Sequence, residues 1–270
     1  MEATDKTFAG SIPEIYQRFF VPLIFDTYAR DLAGRLAQAG PKDVLETAAG
    51  TGVLTRAIEQ LLPPPARIVS TDLNPAMLDY AKTLSAQNGR VEWRQADAMA
   101  LPFPDQSFDA VACQFGAMFF PDKLAGFRET LRLLRPGGQF FFNVWGKIAD
   151  NEFADIVTEE LAAVFPDDPP RFMARTPHGY HDAEQVRQHL NAAGFGTVSI
   201  EVVDRTSKAA SPRDAAIAYC QGSPLRNEII ARDATRLEEA TQRTAEALAR
   251  RFGTGAIEGR IRAIVFTAAR

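Results

Sequence analysis

Two rhythms of apolar positions alternate along this chain. Short apolar runs with strand character fall at 44–47, 67–71, 91–95, 108–114 and 139–144, and helical spacings of three and four residues fill 53–62 and 75 to about 87. Asp122 stands where it can cap a further helix running to Arg135, and the Pro136-Gly137-Gly138 turn feeds the fifth strand. Ahead of the first strand, residues 11–38 carry aromatic and aliphatic side chains at helical spacing. They predict two helices, broken at Pro22 and closed near Gly40 and Pro41. Beyond Trp145 the rhythm loosens into a helix at 152–165, a proline-rich aromatic segment at 165–182, a helix at 182–193, a strand at 197–203, a helical stretch at 212–251 and a last β pattern at the C-terminus. Strands and helices in strict alternation predict an α/β fold: a doubly wound, Rossmann-like, mostly parallel sheet with helices on both faces.

Composition narrows the partners. At 270 residues and 46% hydrophobic the chain can bury a full core. A net charge of -4 gives no general attraction to a polyanion, so a small-molecule substrate is expected in preference to nucleic acid. Cys113 and Cys220 have no CxxC or Cys/His spacing, and no metal site is expected. The first ten residues are polar and no apolar run nears the roughly 18 residues of a membrane span, so the chain reads as cytoplasmic.

The chemistry begins at VLETAAGTG, residues 44–52. A strand ends in an acid and passes through a turn holding Gly50 and Gly52, the place where an open α/β sheet lets a ligand approach the backbone. A dinucleotide fingerprint would have a third glycine where this chain has Thr55. Asp72, twenty positions beyond Gly52 at the end of the second strand, is placed to bond both hydroxyls of a ribose. Glu46 would repel a pyrophosphate but favours a ligand carrying an ammonium and a sulfonium, which describes S-adenosylmethionine.

At this point the stretches VLETAAGTG, VSTDLNPAMLDYA, WRQADAMALPFPDQSFDAV, CQFGAMFF and LRLLRPGGQFFFNVW together resemble the class I S-adenosylmethionine-dependent methyltransferases, of the broad type that includes the ubiquinone and menaquinone biosynthesis C-methyltransferases. The resemblance covers about residues 44–145. It departs at Ala48, where that family usually has glycine.

By position the resemblance implies that Glu46 and the backbone from Ala48 through Gly50, Thr51 and Gly52 hold the methionine part. Asp72 would bind the ribose, with Leu73 and Met77 beside the adenine. Asp97 would accept from the adenine amino group, Ala98 would meet the ring, and Gln114 and Phe115 would line the methyl donor. It also implies a seven-stranded sheet with the last strand inserted antiparallel. A single domain is expected, with a core at 41–145, N-terminal helices at 1–40 over the cofactor, and cap segments at 146–181 and 206–255.

Transfer from a sulfonium needs the acceptor held in line and, for an acidic oxygen or carbon, a base. His178, Tyr180 and His181 are the candidates, although a solvated loop is the plainer reading of 175–182. Tyr16 is expected to touch the cofactor, and Phe20, Tyr28 and Trp145 to wall the acceptor pocket. The expected activity is O- or C-methylation of a small molecule with an apolar or aromatic body, leaving S-adenosylhomocysteine. The alternative is a catalytically silent S-adenosylmethionine sensor or scaffold. A homodimer is compatible with either. Base methylation of nucleic acid is disfavoured because Gln114-Phe115-Gly116-Ala117 stands where an Asn/Asp-Pro-Pro-aromatic run would hold a flipped base.

Overall fold

The structure, a computed structural model, describes residues 5, 7, 8, 10–86 and 88–270. Most of the polar leading stretch, in residues 1–4, 6 and 9, and Gln87 at the predicted end of the second core helix lie outside the described residues.

Four strands form the parallel heart of the sheet: β1 (Asp43–Glu46), β2 (Arg67–Asp72), β4 (Phe108–Gln114) and β5 (Leu134–Trp145), with β3 (Val91–Gln95) beyond β2. Strands of this kind are covered on both faces and so read as unbroken apolar runs; Val44, Leu45, Ile68, Val69, Val111, Phe140 and Phe142 are all fully buried. With β6 (Val198–Ala209) and β7 (Ile257–Ala269) the order is β3-β2-β1-β4-β5-β7-β6, so strand order reverses between β1 and β4. Gly138 bonds to Arg270 while Gly146 bonds to Arg262, so β7 runs antiparallel to β5. Helices α3 (Val53–Leu61), α4 (Pro75–Leu84), α5 (Lys123–Leu133) and α8 (Ala183–Ala193) accompany the sheet. Asp122 caps α5 by accepting from Ala125 N at 2.9 Å, as its position predicts.

The chain divides into two compact units: residues 1–26, 145–179 and 204–262 form unit 1, and 27–144, 180–203 and 263–270 form unit 2. Unit 2 carries the core strands and the glycine turn. Unit 1 carries α6 (Glu152–Val164), α7 (Phe172–Arg175), α9 (Pro212–Gln221), α10 (Leu225–Asp233) and α11 (Leu237–Phe252).

Three local features differ from the sequence reading. Pro22 does not divide residues 11–38 into two helices. Helix α1 (Ile12–Ile15) passes into a π-helix over Tyr16–Phe25 and then into α2 (Asp26–Gln38). Proline lacks the N–H of the α-helical bond and crowds the carbonyl four residues back, and a wider turn with i→i+5 bonding accommodates it. That register, with about 4.4 residues per turn, brings positions i, i+4 and i+9 onto one face. Accordingly Tyr16 stacks on Phe25 at 5.0 Å, and Phe20 meets both edge-on at 5.8 and 5.4 Å.

The Pro136-Gly137-Gly138 turn lies inside β5 as an irregularity. Phe108 pairs with Leu134 and Ala110 already with Gln139, and a side chain on Gly138 would strike the carbonyls of Arg135 and Asp109, each at 2.9 Å. Strand β6 runs on to Ala209, past its predicted end at 203, because an antiparallel neighbour supports it. The ion pairs of Asp204 with Arg262 and Lys208 with Glu258 mark that register.

Candidate active site

The site of unit 2 is built at the carboxyl ends of β1, β2 and β4, around the point where strand order reverses. After Glu46 the backbone turns back on itself. Ala49 N bonds to Thr71 O at 3.0 Å, and Gly50 N donates to Asp72 Oδ2 at 2.8 Å, which ties the first turn to the end of β2. The other Asp72 oxygen accepts from Asn74 N at 2.8 Å, just ahead of α4. Both turn glycines have positive φ, Gly50 at 57° and Gly52 at 78°. A side chain on Gly52 would meet the Trp93 ring at 2.7 Å, so glycine serves both conformation and space there.

Met77 is buried and would lie 3.6 Å from a side chain at Gly50, whereas the neighbouring Leu73 is 41% exposed. Asp97 and Ala98 follow β3 and are half-buried; Asp97 Oδ1 accepts from Met99 N at 2.9 Å, which fixes the loop. Gln114 closes β4 in register with Asn143. Thus Glu46, Ala48, Gly50, Thr51, Gly52, Asp72, Met77, Gln114 and Phe115 gather on three adjacent strand ends of one unit.

Two residues here hold left-handed backbone without being glycine: Ala48 at φ 54° and Phe115 at φ 50°. Each costs about 1 kcal/mol or more, and such strain concentrates at functional turns. Surrounding contacts hold Phe115 in place. Phe115 N donates to Asn143 Oδ1 at 2.9 Å, and the Phe115 ring packs edge-on to Tyr28. Tyr28 is itself fully buried, with its hydroxyl donating to Val203 O at 3.0 Å.

Glu46 is enclosed, and its Oε2 receives Thr55 Oγ1 at 2.5 Å and Ser70 Oγ at 3.0 Å. Burial pushes its carboxyl up to about 7, against the hydroxyl bonds that pull it down. Burial also raises Asp72 from its ordinary value, opposed by the N–H groups of Asn74 and Gly50. Thr55, which in the sequence marks a departure from the dinucleotide fingerprint, and Ser70 are site residues that periodicity could not reveal.

A raised Glu46 pKa means that the folded state holds this proton more tightly than the unfolded chain. The resulting stability is full below the ordinary value of 4.5 and is lost as pH rises through about 7. Glu46→Gln is therefore expected to lose less stability than the wild type between about pH 5 and 8, read as melting temperature against pH; parallel curves would refute this.

The remaining candidates divide between the units. In unit 1, Tyr16, Phe20 and Phe25 form the aromatic cluster described above; Phe25 and His178 each pack against Trp145, at 5.9 and 6.1 Å. His178 is 4% exposed, not part of a solvated loop. Its Nδ1 lies 2.9 Å from Gly146 O, and because a carbonyl only accepts, Nδ1 is the donor of that bond. In unit 2, Tyr180 is buried, lies 2.7 Å from His189 Nδ1 and has Lys123 over its ring; burial raises its phenol, so it does not ionise near neutrality. His181 is partly exposed.

An acid pair on a glycine turn at the reversal point of a doubly wound sheet is where α/β proteins of this kind build a ligand site. The comparisons with known proteins are more particular. A family model described as "Methyltransferase domain" matches residues 45–142. The ubiquinone/menaquinone biosynthesis C-methyltransferase UbiE of Saccharophagus degradans is 29% identical over 199 residues, covering 69% of this chain and 75% of that protein. The UbiE protein of Hahella chejuensis is 42% identical over 99 residues, 36% of this chain and 40% of that one. Among solved structures, the BH2331 protein of Bacillus halodurans shares the fold with a TM-score of 0.58 at 21% identity, covering 88% of this chain and 98% of its own. Over its core the chain is thus similar to the class I S-adenosylmethionine-dependent methyltransferases.

Proposed function

We propose that the protein transfers the methyl group of S-adenosylmethionine to carbon or oxygen of a small acceptor with a hydroxylated aromatic body. The observation that carries this reading is the acid pair at the glycine turn. Glu46 and Asp72 suit a cationic nucleoside and oppose a pyrophosphate. The two UbiE relatives, named for C-methylation in quinone biosynthesis, support a ring-bearing acceptor. S-adenosylmethionine supplies an electrophilic methyl on its sulfonium.

Asp72 would accept from the ribose hydroxyls, Met77 and Leu73 would flank the adenine, and Asp97 would accept from its amino group. The backbone of residues 48–52 and the carboxyl of Glu46 would hold the methionine part. Gln114 and Phe115 would line the methyl donor. In unit 1, His178, whose Nδ1 is held at the Gly146 carbonyl, is the candidate to receive the acceptor's acidic hydrogen, and Tyr16, Phe20 and Trp145 supply aromatic surface.

The test is incubation of the full chain with methyl-labelled S-adenosylmethionine and a panel of phenols, naphthoquinols and carboxylic acids. Label should enter a ring-bearing acceptor, and His178→Gln should lower that rate about 100-fold or more, the scale of general-base catalysis. Binding of S-adenosylmethionine without transfer to any acceptor would favour the sensor or scaffold alternative.

A further inference from the structure

The carboxyl group of Glu46 belongs to a closed triangle of oxygens. Thr55 Oγ1 lies 2.5 Å and Ser70 Oγ 3.0 Å from Glu46 Oε2, and the two hydroxyl oxygens are 3.2 Å apart. All three residues are at most 1% exposed. With an ionised carboxylate, Thr55 donates to Oε2 and the single Ser70 hydrogen is divided between Oε2 and Thr55 Oγ1, so two hydrogens serve three contacts. With a protonated carboxyl, three O–H bonds run in one sense around the ring, from Glu46 to Thr55, from Thr55 to Ser70 and from Ser70 back to Glu46. Each corner then gives one hydrogen and takes one.

Asp72 is the contrasting case. Its two oxygens accept from the amides of Gly50 and Asn74, which can only donate and so oppose the rise that burial causes. The groups that act electrostatically on Glu46 come from each element packed around it: Arg56 from α3, Asp72 from β2 and Cys113 from β4. Arg56 favours the ionised form, but its Nη1 also donates to Thr51 O at 2.7 Å; Asp72 favours the neutral form, as does burial itself.

We propose that Glu46 is a neutral carboxylic acid in the unliganded protein near neutral pH, closed into a ring with Thr55 and Ser70, and that seating a cationic nucleoside beside it expels that proton to solvent. This rests on the S-adenosylmethionine reading of the site and goes beyond it by making pH a control on occupancy. The ligand's ammonium, in a site screened from water, stabilises the carboxylate at the expense of the ring. Each protein molecule that holds the proton releases it on binding, and no other covalent bond changes. A titration point at about 7 puts the exchange in the physiological range.

The experiment is calorimetric titration of the full chain with S-adenosylmethionine at about pH 6.5, in buffers that differ in ionisation enthalpy. The heat should vary with the buffer, with a slope of about three quarters of a proton released, and affinity should fall about fivefold from pH 7 to 6. In Glu46→Gln the slope should vanish while weaker binding persists. A second readout needs no variant: the infrared difference spectrum of wild-type protein on adding ligand should lose the C=O band of a protonated carboxyl group. Binding with no buffer dependence and no loss of that band overturns the proposal alone, as does an undiminished slope in Glu46→Gln. No binding by the folded wild-type protein overturns the cofactor reading and the proposal with it.

Discussion

Asp72→Ala should weaken S-adenosylmethionine binding about a hundredfold or more. A carboxylate holding both hydroxyls of a ribose makes two hydrogen bonds to a charged acceptor, each worth about 1.5–3 kcal/mol, so losing both corresponds to roughly 3–6 kcal/mol. The same side chain is the clasp between the Gly50 amide of the first turn and the Asn74 amide ahead of α4. Alanine therefore leaves two N–H groups without their acceptor as well as the ligand, and the turn itself loosens. Asp72→Asn separates the two effects, because it keeps the volume and one acceptor while removing the charge; its affinity should fall between the other two. Calorimetry with S-adenosylmethionine and S-adenosylhomocysteine, beside a melting curve for each variant, reads both. Binding by the alanine variant within about threefold of wild type would remove Asp72 from the site.

The second large effect is steric. Ala48 takes up a backbone conformation that glycine adopts freely, and the room for its methyl group comes from across the sheet. A side chain at Gly116 would stand 2.4 Å from the Ala48 methyl and 2.8 Å from Cys113 Sγ. Gly116 itself has an ordinary φ of -99°, so only space demands glycine there. Gly116→Ala should cost about 3 kcal/mol, the upper end of overpacking penalties in a tight core, and lower the melting temperature by about 6–10 °C.

Ala48→Gly on its own should be close to neutral. It relieves about 1 kcal/mol of left-handed strain but frees the unfolded chain by a similar amount. Because it also removes the nearer clash, the double variant should recover much of what Gly116→Ala loses. Melting curves of the four proteins form a double-mutant cycle. Strictly additive losses would show that the two positions do not share that space.

How far the sequence could be read depended on how local the cause was. The core strands are apolar on both faces and the helices between them recur at the right spacing, so the alternating order and the doubly wound sheet were legible from residues 44–145. The motif acids were equally visible, since Glu46 and Asp72 stand at the ends of strands that the pattern itself locates. At Pro22 the sequence misleads, because a 3.6-residue period does not hold through Tyr16–Phe25. Tyr16, Phe20 and Phe25 share a face only in the wider π register.

Segment 175–182 was read as a solvated loop because its composition is polar and turn-like. In the structure Arg175 donates to Asp5 and Glu228, each at 2.6 Å, and Thr176 donates to Asp5 at 2.8 Å, so carboxylates 170 and 53 residues from Arg175 draw the segment inward and bury His178. No local pattern encodes such partners.

The sequence by itself therefore determined the alternating order of the core elements and the sheet class, because hydrophobic period and turn residues act over a few neighbouring positions. The tertiary structure alone decided that Thr55 and Ser70 meet on the Glu46 carboxyl, that Gly116 makes room for Ala48, and that Asn143 holds the left-handed Phe115. Each of those contacts joins separate elements across the sheet, and proximity of that kind arises only when the strands have taken their order and register.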